Sequence, residues 1–260
     1  MATAAQTRHG VAVELAGVRK TYEGQAVLRG VDLSVAPGEL VAILGQSGTG
    51  KSVLLRQIVG LERHDAGRIT VGGHDLAEYL ALPSEQKPFR IAMVFQGAAL
   101  LASLTVAENV ALRLREEGRH APAEISRVVQ RVLDQVEMAG TEDKQPGELS
   151  GGMRKRVAIA RALAVEPELI LYDEPTADLD PILTEQIGQL IRRIRTDRGS
   201  TQMIVTHNLP LARAIADRIA VLDAGRIVEC STPAELERSR QPLVREFLRA
   251  AALGHGETPS

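Results

Sequence analysis

The 260-residue chain has one cysteine, Cys230, no tryptophan and few aromatics, with three tyrosines and three phenylalanines. A lone cysteine excludes an internal disulfide and any metal centre built on cysteine pairs, so a reducing compartment is the simplest expectation. No apolar run approaches the roughly 18 residues that a bilayer crossing demands. The opening segment MATAAQTRHGVAVELAG lacks the apolar centre of a signal peptide. The chain is therefore expected neither to cross a membrane nor to leave the cell. Surplus charge of either sign is missing as well. A net charge of −2 and a pI near 6.3 give no electrostatic reason to expect nucleic acid. Internal repeats and long linkers are also lacking. What remains, 44% hydrophobic and 25% charged, is an ordinary globular composition with enough apolar residues for a sizeable core.

Against that plain background one stretch stands out, GQSGTGKS from Gly45 to Ser52. It follows an apolar run, Leu40 to Leu44, and precedes a helix-like run, Val53 to Val59. Strand, glycine loop and helix in that order place backbone N–H groups and a helix N-terminus around phosphates. Gly45, Gly48 and Gly50 let the backbone curl with its amides inward, alongside Gln46, Ser47, Thr49 and Val53. Lys51 can reach the β- and γ-phosphates, and the Ser52 hydroxyl can ligate Mg²⁺.

A second apolar run, LILYDEP from Leu169 to Pro175, ends in two adjacent carboxylates. It reads as a buried parallel strand that presents acid at its C-terminal end, where ligands of α/β sheets sit. Asp173 is placed to hold Mg²⁺, and Glu174 to polarise the water that attacks the γ-phosphate.

Between these sites lies LSGGMRKRVAIARAL, Leu149 to Leu163, a Ser-Gly-Gly turn opening a helix whose Val157, Ile159, Ala160 and Leu163 recur at roughly helical spacing. Its basic run, Arg154, Lys155 and Arg156, reads as a solvated helix face. From Val11 to Leu236 the chain resembles the ATP-binding cassette (ABC) ATPases, with LSGGM standing where that family's signature reads LSGGQ.

The resemblance implies further roles. Tyr22, in KTYEGQAVLRGVDLSV, matches the aromatic that stacks on adenine. Gln96, in IAMVFQ, matches the glutamine that contacts Mg²⁺ and the attacking water. Asp180, in ADLDP, matches the loop aspartate linking two nucleotide sites, and His207, in MIVTHN, matches the histidine that contacts γ-phosphate. One phosphate loop and one signature imply a head-to-tail homodimer, in which Ser150, Gly151 and Gly152 of one chain cap ATP held at Lys51 and Ser52 of the other. Met153 and Asp178 depart from the family pattern, with methionine replacing glutamine and an acid standing where glycine is common.

The implied fold is an α/β P-loop NTPase of the ABC cassette type, with a RecA-like parallel-sheet core, an antiparallel β subdomain and a helical signature subdomain. The expected division is a tail over 1–10, the ATPase domain over 11–238 with its helical part at about 98–163, and an extension over 239–260. Strands are expected near Val11 to Gly17, Val27 to Val35, Arg68 to Val71, Asp217 to Leu222 and Arg226 to Glu229. Helices are expected at Val106 to Glu117, Pro122 to Met138 and Pro233 to Ala251, with GHGETPS frayed.

Three functions fit a cassette: a transporter motor bound to a membrane permease, an ATPase acting on DNA or ribosomes, and a regulator without turnover. The short span between Lys51 and Ser150 leaves no room for the insertions usual in the second, and Glu174 and His207 argue against the third. LSGGMRKRVAIARAL, LYDEPTADLDP and FQGAALLASLTVAENV are similar to the Mla/Mce-type lipid transport ATPases. Those work with a permease and an Mce-domain protein at the cytoplasmic face of the inner membrane. Amino-acid importers and lipoprotein-releasing ATPases share the catalytic motifs. Leu104, Val106 and Val110 are expected to line the groove that receives a permease coupling helix.

Overall fold

A computed structural model describes residues 10–253, with side chains as far as 249. Strands β1 (Val13–Tyr22), β2 (Gln25–Val35), β4 (Ala66–Val71) and β5 (His74–Asp75) form one antiparallel sheet in the order β2-β1-β4-β5. The second sheet runs β10-β9-β3-β8-β7-β6, from β3 (Leu40–Leu44), β6 (Ile91–Val94), β7 (Leu169–Asp173), β8 (Thr201–Thr206), β9 (Arg218–Asp223) and β10 (Arg226–Ser231). Its strands are parallel except β10, which pairs antiparallel with β9 through the Ala224-Gly225 turn. The expected antiparallel β subdomain forms as a sheet of its own, and the parallel core gains its antiparallel edge from β10.

The central strands are apolar throughout because both faces are buried. In β3, Leu40, Ala42 and Leu44 point into one core while Val41 and Ile43 point into the other. In β7, Ile170 and Tyr172 join the first core, and Leu169 and Leu171 the second. The second core is closed by the antiparallel sheet and α1 (Lys51–Ile58). A short α2 (Leu76–Ala81) adds Leu76 and Tyr79 to it.

The first core is closed by α3 (Val106–Glu117), α4 (Pro122–Gln135), α5 (Gly151–Ala164), α6 (Pro181–Arg198) and α7 (Leu209–Ile215). α3 matches its expected bounds because both ends are signalled. Thr105 and Glu108 make a reciprocal cap at its start, and Gly118 at φ 66° stops it. α4 ends earlier than Met138 because Glu137 turns left-handed at φ 61°.

Three expectations are corrected. The segment from Pro233 onward is two helices, α8 (Pro233–Leu236) and α9 (Pro242–Leu253), because Pro242 starts a new helix and cannot donate to the one before it. Val106 and Val110 are fully buried in the first core, so they line no groove, and only Leu104 of that trio stays partly exposed. The basic run is not a solvated face. Arg154 is exposed and Arg156 half-buried, yet Lys155 is only 7% exposed, since it falls on the buried face that carries Gly152, Ile159 and Leu163. The tail before residue 10 and the GHGETPS end lie outside the described residues.

Candidate nucleotide site

Parallel register brings the strand ends together. Leu44 pairs with Thr206, Asp173 pairs with Val205, and the Glu174 amide donates to the Val205 carbonyl at 2.9 Å. The residues that follow β3, β7 and β8 therefore meet at one sheet edge. They surround a cavity of about 780 Å³ lined by Gly45, Gln46, Ser47, Gly48, Gly50, Lys51, Ser52, Val53, Gln96, Glu174 and His207. Val27 and Phe247 complete the wall.

The loop needs its glycines for two reasons. A Cβ at Gly45 would stand 2.5 Å from the Leu222 carbonyl oxygen, which no side chain tolerates. Gly50 precedes α1 at φ 99°, a left-handed backbone open to glycine. Thr49 braces the curve by donating its hydroxyl to the Gln46 carbonyl at 2.9 Å. No side chain caps α1, so its first-turn N–H groups are left to an anion in the cavity.

Lys51 is 6% exposed, and its ammonium donates to the carbonyls of Gly45 and Gln46, both at 2.9 Å. Its Nζ also stands 3.9 Å from Glu174 Oε1. Burial pushes its pKa down, while the charges of Glu174 and Asp173 push it back up. The Ser52 hydroxyl donates to Asp173 Oδ1 at 2.7 Å, so two oxygens fit for a hard divalent cation lie side by side. Among the described residues no cluster of three or more His, Cys, Asp or Glu side chains could cage a metal alone. Such a donor set suits Mg²⁺, which keeps several waters and shares its shell with nucleotide phosphates.

Glu174 is 9% exposed and held at φ 45°. Its Oε2 is buried and accepts no hydrogen bond, although His207 Nδ1 approaches to 3.1 Å without the alignment of one. With Oε1 toward Lys51 and Oε2 beside His207 without a hydrogen bond, Glu174 offers the spare acceptor that activation of a water requires.

The other expected residues lie elsewhere. Tyr22 ends β1, 38% exposed and with Lys20 Nζ 5.3 Å from its ring centre, and it is not part of the cavity wall. Ser150 caps α5 by accepting from the Met153 amide at 3.3 Å, and Asp180 caps α6 by accepting from Leu183 at 2.9 Å. Gly151 and Gly152 pack beside Leu179 and Leu183, away from Lys51 of their own chain.

Two contributors were not foreseen. Lys155 donates to the backbone carbonyl of Gln96, and the acid nearest it in charge effect is Asp178, followed by Glu174 and Asp173. Burial lowers its pKa and those three carboxylates oppose the shift. Asp178 is thus the carboxylate whose charge acts most on this buried lysine. It sits at φ 65°, a backbone that costs a non-glycine residue on the order of 1 kcal/mol. The lysine was readable in principle, as a cation on an apolar helical face. Phe247, from the last helix, carried no local signal beyond the scarcity of aromatics.

A phosphate loop after β3, a carboxylate pair after β7 and antiparallel β additions define a P-loop nucleotide hydrolase. The ABC transporter family profile matches residues 28–177, and the chain belongs to that family. Its members are ATPases that bind ATP with Mg²⁺, and their cassettes dimerise and partner with membrane permeases. The chain is 38% identical over 245 residues to the probable ribonucleotide transport ATP-binding protein mkl of Mycobacterium leprae, covering 94% of this chain and 71% of that protein. It is 44% identical over 214 residues to the methionine import ATP-binding protein MetN of Caulobacter vibrioides, covering 82% of this chain and 64% of the relative. Its fold superposes with a TM-score of 0.76 and 34% identity on the dimeric, post-hydrolysis ATP-binding cassette MJ0796 bound to ADP and Pi, covering 85% of this chain and 98% of that one.

Proposed function

We propose that this chain is the motor subunit of an Mla/Mce-type transporter, moving phospholipids or other lipids between the inner membrane and the outer envelope. Two copies pair head to tail on a permease at the cytoplasmic face of the inner membrane, together with an Mce-domain lipid-binding protein. The observation that carries the motor is the convergence of Lys51, Ser52, Gln96, Glu174 and His207 on one cavity, with the signature turn of the same chain outside it.

Lys51 holds the β- and γ-phosphate oxygens while the amides of Gly48 to Val53 surround them. Ser52 and Asp173, with Gln96, would hold Mg²⁺, whose charge would offset that of the phosphates. Glu174 takes the proton of the water lined up with the γ-phosphate, and His207 contacts that phosphate beside it. Ser150, Gly151 and Gly152 of the partner complete the cradle with amides and a hydroxyl, which Met153 leaves intact. Asp180 links the two sites and Tyr22 supports the adenine from the β1 end. In this reading the catalytic unit spans 11–238, and 239–260 is an extension whose Val244 packs back into the first core and whose Phe247 stands at the cavity wall.

The permease docking groove moves from the buried valines to a cavity of about 460 Å³ beside them, lined by Phe95, Leu101, Leu112 and Ala162 with Arg113 and Glu116 at its rim. Leu101 is 46% exposed there, an apolar contact awaiting a helix. The lipid reading rests on the methionine signature, the tyrosine of LYDEPTADLDP and the segment after Gln96. The likeness to MetN favours a second reading, an amino-acid importer.

Purification of the tagged chain from gently solubilised membranes, with partner identification and ATPase assay, tests all of this. A multi-pass permease and an Mce-domain protein, with turnover lost in Glu174→Gln, support the full reading. A different permease keeps the motor and discards the lipid, and ribosomes or DNA without a permease overturn the transporter.

A further inference from the structure

The loop that carries Gln96 is clamped by the signature helix. Lys155 of α5 donates to the Gln96 carbonyl, and Arg161 of the same helix donates to the carbonyls of Ala99 at 2.6 Å and Ala98 at 2.8 Å. Ala98 and Ala99 both hold left-handed backbones, φ 61° and 48°, so this turn is kept in shape by its partners. Beyond it, the Asn109 side chain accepts from the Leu101 amide and donates to the carbonyls of Leu101, Leu104 and Thr105. The loop is thus anchored along its length to α5 and α3.

We propose that Lys155 is a positioning residue for Gln96, holding the loop that carries it against the signature helix. Asp178, on the loop after Glu174, is the carboxylate whose charge most favours the buried ammonium, ahead of Glu174 and Asp173. The inference rests on the reading of Gln96 as a contact to Mg²⁺ and the attacking water.

Lys155→Met keeps the length and loses the donor. Its kcat is expected to fall roughly tenfold to a hundredfold, because a small displacement of a reacting group costs that much. Affinity for a fluorescent ATP analogue and the melting temperature stay close to those of the parent. Lys155→Gln, which retains an N–H donor, recovers most of the turnover. In a Gln96→Ala background Lys155→Met adds no further loss, since it acts through the missing side chain. Unchanged turnover in Lys155→Met, a matching loss of nucleotide affinity, or full additivity with Gln96→Ala would each overturn the proposal. Should Lys155→Met not fold, the pair Lys155→Met with Asp178→Gly removes both charges and takes its place in the same comparison. If Gln96→Ala alone left turnover intact, the reading of Gln96 would fail and the proposal with it. A loss in Gln96→Ala with none in Lys155→Met would remove the proposal alone.

Discussion

Lys51 and Glu174 stand 3.9 Å apart at their charged atoms, yet their removal separates binding from chemistry. Lys51→Ala deletes a charge-assisted contact to phosphate worth about 1.5–3 kcal/mol, so ATP affinity should drop roughly 10- to 100-fold. Titration calorimetry with ATP and Mg²⁺ reads that loss, and full turnover in the variant would contradict the site. Individual residues were legible where the chemistry lies in local spacing. The phosphate loop and the acids of β7 could be read directly because backbone and side chain act on the same few positions. Lys155 escaped because the destination of a long side chain is decided by tertiary packing, and its neighbours Arg154 and Arg156 made a charged run look solvated. The caps formed by Ser150 and Asp180 show one side chain holding a helix start in the single chain while its expected partner contact lies across a dimer.

Helices α3, α4 and α5 pack as a unit, and Leu133 of α4 is fully buried against them. Leu133→Ala should lower stability by about 2–5 kcal/mol, measured by denaturant unfolding, since the surrounding helices close only partly over the lost volume. At the end of α4, Glu137 joins Arg193 of α6 at 2.9 Å and Arg156 of α5 at 2.7 Å. The hydrogen bond from Arg193, then the charge of Arg156, hold its carboxyl below the ordinary 4.5. A lowered native pKa gives stability that is present above 4.5 and lost as pH falls through the native value. The melting temperature should therefore fall on acidification through that window, and Glu137→Gln should flatten that part of the curve. At this scale β3 and α3 were readable to the residue, because an apolar run or a cap marks each end. The break at Pro242 and the burial of Val106 and Val110 were not. A helix pattern shows which residues share a face, but not whether that face meets core or solvent.

In the proposed head-to-tail pair, turnover belongs to two chains, and the signature turn lies outside the cavity of its own chain. Glu174→Gln keeps the cradle and loses the proton acceptor, so with ATP and Mg²⁺ it should elute from size exclusion at twice the monomer mass, with ATPase activity at background. A variant that stayed monomeric would separate the site from the dimer. The overall architecture was legible because strand, loop and acid motifs recur in a fixed order. The partition of its interior was not. Alternate residues of β3 and β7 serve two separate cores, so the parallel sheet is a wall between them. Each core can drift in side-chain size without compensation from the other, but one residue inserted or deleted within either strand would exchange the two sets at a stroke. Relatives of this chain should therefore record their history as substitutions in the strands and as changes of length in the connecting loops.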